Sequence, residues 1–171
     1  EYISQLINLH SILDYEYQQL RLIITPSATD SVIELKYNVF GDIYANICFR
    51  ITRNISGTDV LLIPASNYDE GVVCCGYWDN EWTSTPSMHS FSLYDEPNTT
   101  SQVTYKLWLG STDDVNKLAD INRSGTTGTS YKEKGVSSSA ALEHPKRGNP
   151  LDAENALRIP EFTGTVFDNK L

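Results

Sequence analysis

The side chains best suited to chemistry are few and scattered. The three histidines, His10, His89 and His144, have no cysteine nearby and show neither metal-ligand nor nucleophile spacing. Serine is frequent enough to pair with any of them on paper. A Ser–His–Asp triad, however, needs a strained strand-to-helix elbow to present its nucleophile, and no such pattern is found. Each histidine therefore reads as structural. Of the three cysteines, Cys74 and Cys75 are adjacent and would point to opposite faces of an extended strand, which disfavours a bond between them. A bridge from Cys48 to one of the two is sterically open, but buried thiols are the stronger expectation, and three cysteines without histidine make a poor zinc site.

Asp113, Asp114 and Asp120 fall close together, as oxygen ligands of calcium do in sandwich loops. Their spacing fits no defined calcium loop, and a solvated turn explains them better. Asp95 and Glu96 precede Pro97 and read as turn residues. Asn54-Ile55-Ser56, Asn98-Thr99-Thr100 and Asn122-Arg123-Ser124 match the glycosylation sequon, a pattern that chance supplies freely in a chain this rich in Asn, Ser and Thr. The segment Tyr77-Trp78-Asp79-Asn80-Glu81-Trp82 is the most suggestive one. Rings beside carboxylates and amides can stack on sugar C–H faces while the polar groups take hydroxyls. Tyr77, Trp78 and Trp82 are accordingly the candidate binding residues, for a glycan or for a neighbouring subunit. Closure of one end of the fold by the two tryptophans is the competing expectation. No catalytic residue, metal or cofactor is expected.

The elements that would carry these residues are strands. Tyr is abundant, Met is rare and Thr and Ser recur, a palette suited to pleated, half-buried surfaces. Ile33, Leu35, Tyr37 and Val39 alternate with Glu34, Lys36 and Asn38. Ala45, Ile47, Phe49 and Ile51 alternate with Asn46, Cys48, Arg50 and Thr52. Val103, Tyr105, Leu107 and Leu109 alternate with Thr104, Lys106 and Trp108. This period of two predicts strands with one buried face. Shorter strands are predicted at Leu20–Ile24, Val60–Ile63, Val72–Tyr77 and Met88–Tyr94, around Ala119 and Ile121, and from Val136 to Leu142. Turns are predicted at Thr25–Asp30, Gly41-Asp42, Asn54–Asp59, Asp95–Asn98 and Gly110–Asp114. Strands at this spacing with no intervening helices indicate an all-β antiparallel sandwich or barrel.

Residues 1–18 read as a lead-in, with Leu6, Leu9 and Leu13 at roughly helical spacing, as a short helix or an irregular arm would show. Residues 19–145 form the sandwich domain. Residues 146–171, punctuated by Pro150 and Pro160 and carrying isolated Phe162 and Phe167, read as an arm laid along the domain or onto a neighbour. The chain begins at Glu1 and not at Met, as a fragment or a processed form would.

The formal net charge of −9 over 171 residues gives no electrostatic reason to grip phosphates, so neither nucleic acid nor an anionic membrane is an expected partner. No apolar run reaches the length of a bilayer span.

Several pieces in order resemble the proteins of phage tail fibres and virion surfaces, over residues 19–143. They are Leu22-Ile23-Ile24-Thr25-Pro26-Ser27 with the turn and strand that follow, and Phe49-Arg50-Ile51-Thr52-Arg53. Further along come Ser90-Phe91-Ser92, then Asp95-Glu96-Pro97-Asn98-Thr99-Thr100-Ser101 leading into Thr104-Tyr105-Lys106. The last are Ile121-Asn122-Arg123-Ser124 and Tyr131-Lys132-Glu133-Lys134-Gly135-Val136-Ser137. The resemblance implies a jelly-roll-like β-sandwich, often a homotrimer, displayed on a fibre, spike or capsid surface, with no catalytic residues. Its implied partners are copies of itself and other virion proteins. Host-surface glycans are the partner of an alternative role in host attachment. The arm beyond Pro145 departs from the pattern and favours a module wired into a larger assembly over a terminal knob.

Overall fold

A computed structural model describes residues 5–9, 15–43, 47–63, 73–75, 86–111, 117–123 and 134–144. They form two packed antiparallel sheets. In chain order the strands are β1 (Gln5–Leu9), β2 (Tyr15–Glu16), β3 (Leu22–Ile24), β4 (Val32–Ile43), β5 (Ile47–Ile55), β6 (Thr58–Leu61), β7 (Cys74–Cys75), β8 (Ser87–Asp95), β9 (Val103–Ser111), β10 (Lys117–Ile121) and β11 (Ser138–His144).

Three strand positions are made of two collinear pieces each. β2 and β3 lie end to end along β9, β6 and β7 lie end to end along β5, and β10 and β11 lie end to end along β4. The eleven segments thus occupy eight positions. One sheet runs β1, β10/β11, β4, β8, and the other runs β2/β3, β9, β5, β6/β7. The pairing is nested: first position with last, second with seventh, third with sixth, fourth with fifth. A long antiparallel ribbon folded over on itself gives that order, and it is the jelly-roll arrangement of a sandwich.

The core follows from the period of two. Ile33, Leu35, Tyr37 and Val39 of β4 face Ile47, Phe49 and Ile51 of β5 and Val103, Tyr105, Leu107 and Leu109 of β9, all buried. Leu20, Leu22 and Ile24 close one flank of the core, and Ala119, Ile121 and Ala141 another. An aromatic row crosses between the sheets: Tyr37 stacks on Phe91 at 5.5 Å, and Phe91 meets Phe49 at 5.7 Å. Such pairs add stability beyond the area they bury.

Four sequence expectations differ from what is found. Gly41 and Asp42 do not turn the chain; they continue β4. The glycine is there because β10 passes so close that a Cβ would sit 2.5 Å from the Asp120 carbonyl oxygen. Gly110 and Ser111 likewise continue β9. Arg50 and Thr52, expected on an open face, are buried alongside Cys48. Trp108, opposite Arg50 on β9, donates its indole N–H to Thr52 Oγ1 at 2.8 Å and so lies across that face. Residues Gln5–Leu9 and Tyr15–Glu16, read as a helix or arm, are strands paired with β10 and β9. The ladder they complete outweighs a smeared helical spacing rich in β-branched isoleucine. The arm 146–171 lies outside the described residues.

Candidate functional site

The polar residues that could carry chemistry are largely absorbed by the joints between the two sheets. The first joint sits where β10 hands over to β11 along β4. Asn122, just past β10, takes a left-handed backbone (φ 64°), and Ser137 stands just before β11. The Asn122 Oδ1 accepts from the Ser137 N–H at 2.8 Å and its hydroxyl at 2.7 Å, and Nδ2 donates to the Tyr17 hydroxyl at 3.0 Å. Phe40, facing the gap in the ladder, receives the Asn122 N–H at its carbonyl at 2.8 Å and donates its own N–H to Ser137 Oγ at 3.0 Å. The side-chain polar groups of Asn122 and Ser137 are therefore partnered, as burial requires. Burial pushes the Tyr17 hydroxyl up to about 12, helped by Tyr15 and opposed by the Asn122 hydrogen bond.

Two further joints lie towards the other end of β4. Asp95, on β8, accepts from Arg53 Nη1 of β5 and from the Tyr105 hydroxyl of β9, each at 2.8 Å. One carboxylate of one sheet thus holds two strands of the other, a role beyond the turn expected of it. Burial, and then the adjacent Asp95 charge, hold the Tyr105 hydroxyl well above the usual phenol range. Glu143, on β11, accepts from the Ser27 N–H at 2.7 Å, from its hydroxyl at 2.8 Å and from the Ser31 hydroxyl. These bonds overcome desolvation and keep the Glu143 carboxyl below its ordinary value.

On the outer face of the first sheet, Glu34 accepts from the Tyr94 hydroxyl at 3.1 Å and meets Lys36 Nζ at 3.2 Å and His144 Nε2 at 3.0 Å. Desolvation acts to raise the Glu34 carboxyl, but the contacts with His144, Lys36 and Tyr94 outweigh it and the net direction is down. Asp120 is buried and ion-paired with Arg123 at 2.5 Å. It is therefore not the solvated turn residue expected, and its charge is already taken up. Asp113 and Asp114 lie outside the described residues, as does His10. Among the described residues no group of three or more His, Cys, Asp or Glu side chains is placed to hold a metal.

His89 Nε2 lies 2.8 Å from Ser87 Oγ, among the described residues the one contact that resembles a nucleophile and its base. Its ring leans on Phe49 at 5.7 Å, and burial pulls its pKa down. Among the described residues no carboxylate hydrogen-bonds the ring to orient it. Among the described residues the contact is a strand-end hydrogen bond.

The sequons also resolve differently. Asn122 is buried in the first joint, so a glycan there is incompatible with the fold. Asn54 braces the β5–β6 hairpin, donating to Asp59 at 2.8 Å and accepting from the Gly57 N–H at 3.1 Å. Asn98 is exposed, with φ 53°. Cys48 is buried, donates from Sγ to the Gly110 carbonyl at 3.5 Å, and lies opposite Cys75 in the ladder. Tyr77, Trp78 and Trp82 lie outside the described residues.

With its polar groups turned to internal use, the fold offers surface. β8 forms one margin of the first sheet, paired with β4 alone among the described residues. It carries two of the large apolar side chains most open to solvent, Met88 at 51% and Tyr94 at 64% exposure. Sequence reasoning found this strand but not its place at a sheet edge, because strand order is not written in a pattern of two. The signal available was its composition: Ser87–Tyr94 holds no Lys, Arg, Asp, Glu or Pro.

Among the described residues no helix is long and apolar enough to cross a membrane. No family model matches this chain, and no curated protein matches it.

Proposed function

We propose that the chain is a structural component of a virus particle, a module of a fibre, spike or capsid surface that works through contacts with copies of itself and with other virion proteins. The observation that carries the reading is the nested eight-position jelly roll, an architecture that viral capsid and lectin domains use. Fold alone does not fix function. Two points add support. The ordered fragments quoted above resemble virion surface proteins. The described carboxylates Asp95, Glu143, Glu34 and Asp120 each hold the fold together instead of lining a reactive cleft.

The test is the state of the full chain in solution, by light scattering with electron microscopy of the same sample. A discrete symmetric oligomer is expected, by resemblance the homotrimer or a multiple of it. A monomer at every concentration contradicts the reading.

The second reading, attachment to host-surface glycans, draws on the same architecture, since lectin domains share it. Its candidate residues are Tyr77, Trp78 and Trp82. A glycan array with Trp78→Ala and Trp82→Ala controls decides it: binding abolished by either substitution is expected of an attachment module, and no binding by the assembled protein rejects it.

A further inference from the structure

We propose that the outer edge of β8 is a homotypic contact, pairing antiparallel with β8 of a second copy about a twofold axis at Phe91. The proposal deepens the assembly reading and rests on it, by naming the surface and the partner.

An exposed strand edge presents a row of backbone N–H and C=O groups that any other extended chain can pair with. Soluble proteins blunt such edges with lysine, proline, bulges or very short strands. Among the described residues the other edges are shorter or interrupted; the longest of them, β11, has seven residues and ends in Glu143 and His144. The β2/β3 edge is interrupted by a 3-10 turn at Gln18–Leu20 and flanked by the Glu16–Arg21 ion pair at 2.6 Å. β6 has four residues and β7 two. β1 has five.

β8 breaks the rule on every count. It is nine residues long, about 30 Å at the usual rise per residue. Its register with β4 runs unbroken from Ser87 opposite Gly41 to Asp95 opposite Ile33, so no bulge twists the edge away. It contains no proline or lysine, and its one acidic residue, Asp95, is held by Arg53 and Tyr105.

The strand is also complementary to itself. With Phe91 opposite Phe91 of the second copy, Met88 falls opposite Tyr94, Ser90 opposite Ser92, His89 opposite Leu93 and Ser87 opposite Asp95. On the outer face the two exposed apolar side chains then cover each other at both ends, a thioether against a ring, with serines meeting between them. Asp95 never meets a like charge. The contact is isologous and closes on two copies, joining two sheets of four positions into one. Where the copies already form trimers by another surface, the same contact links trimer to trimer. The net charge of −9 per chain opposes the approach, so association should tighten as salt rises.

The test uses the full chain and two double substitutions at the exposed positions. Met88→Lys with Tyr94→Lys sets lysine against lysine across the axis. Met88→Glu with Tyr94→Lys sets glutamate against lysine. Sedimentation velocity of the unsubstituted chain should give an even-numbered mass. That mass should fall by half in the first variant and return in the second, with thermal melts confirming that both fold. An assembled mass indifferent to the first variant removes the β8 contact and leaves the assembly reading standing. Equal dissociation of both variants overturns the pairing about Phe91. A monomeric unsubstituted chain at all concentrations and salt levels overturns both.

Discussion

Asn122 joins two strands, fills a left-handed position and serves three hydrogen bonds at once. Asn122→Ala should cost roughly 2–4 kcal/mol, because it strands the buried Ser137 N–H and places a Cβ-bearing residue without a polar side chain at positive φ. Asn122→Asp keeps the two acceptor contacts and tolerance of that backbone, so chemical denaturation should show a smaller loss. An alanine variant as stable as the parent would contradict the role given to this joint. Tyr37 presents the opposite case. Its hydroxyl is buried with no hydrogen-bond partner among the described residues, and burial alone drives its pKa above the usual phenol range. Removing the oxygen should therefore help: Tyr37→Phe is expected to stabilise by roughly 0.5–1 kcal/mol in the same assay, leaving the stack on Phe91 intact. A clear destabilisation would mean that the hydroxyl has a partner.

Among elements, β4 explains most about what the sequence shows and hides. Its odd positions from Ile33 to Val39 announce a strand with one buried face, and the structure places them in the core. The strand then runs on through Gly41 and Asp42, where glycine looks like a turn but marks the passage of β10. Pattern reading cannot separate those cases, since both ask for a missing Cβ. Gly41→Ala separates them experimentally. A turn at negative φ would accept alanine, whereas a backbone contact at 2.5 Å should cost about 1–3 kcal/mol in thermal or chemical unfolding. The β5–β6 hairpin shows the reverse, a turn read correctly but too broadly. Ser56 and Gly57 alone form it, both at positive φ (53° and 91°), as a two-residue hairpin turn requires. Asn–Gly is the preferred pair there, so Ser56→Asn should raise stability by roughly 0.5–1 kcal/mol. The burial of Arg50 and Thr52 was illegible because alternation reports only one covered face, and Trp108 reaches across the other. The edge position of β8 was illegible for a different reason: it follows from how the ribbon folds over, not from any local residue.

At the scale of the whole molecule, several charged groups lean the same way. Glu34, Glu143 and Asp59 are held below their ordinary values of 4.5, 4.5 and 3.8, and burial lowers His89 from 6.5. In each case the folded protein favours the unprotonated form. The unfolded chain takes up the proton at higher pH, so the contribution is complete above the unfolded value and is lost as pH falls through the folded one. From pH 7 downward, stability should hold to pH 6.5, decline first as His89 resists protonation, and fall more steeply below pH 4.5 as the carboxylate joints are titrated. Thermal melts between pH 7 and 3 check the order; a molecule that gains stability on acidification would contradict it. His89→Phe should flatten the first part of that decline and leave the second.

The edge of β8 is the surface that copies of this chain should share. Hydrogen exchange followed by mass spectrometry, on the full chain across a dilution series, reads this without any substitution. Amides within Ser87–Asp95 should lose protection as the assembly dissociates, while those of β5 and β9, inside the second sheet, stay unchanged. Protection of β8 that is independent of concentration, in a sample whose mass does change, would contradict it.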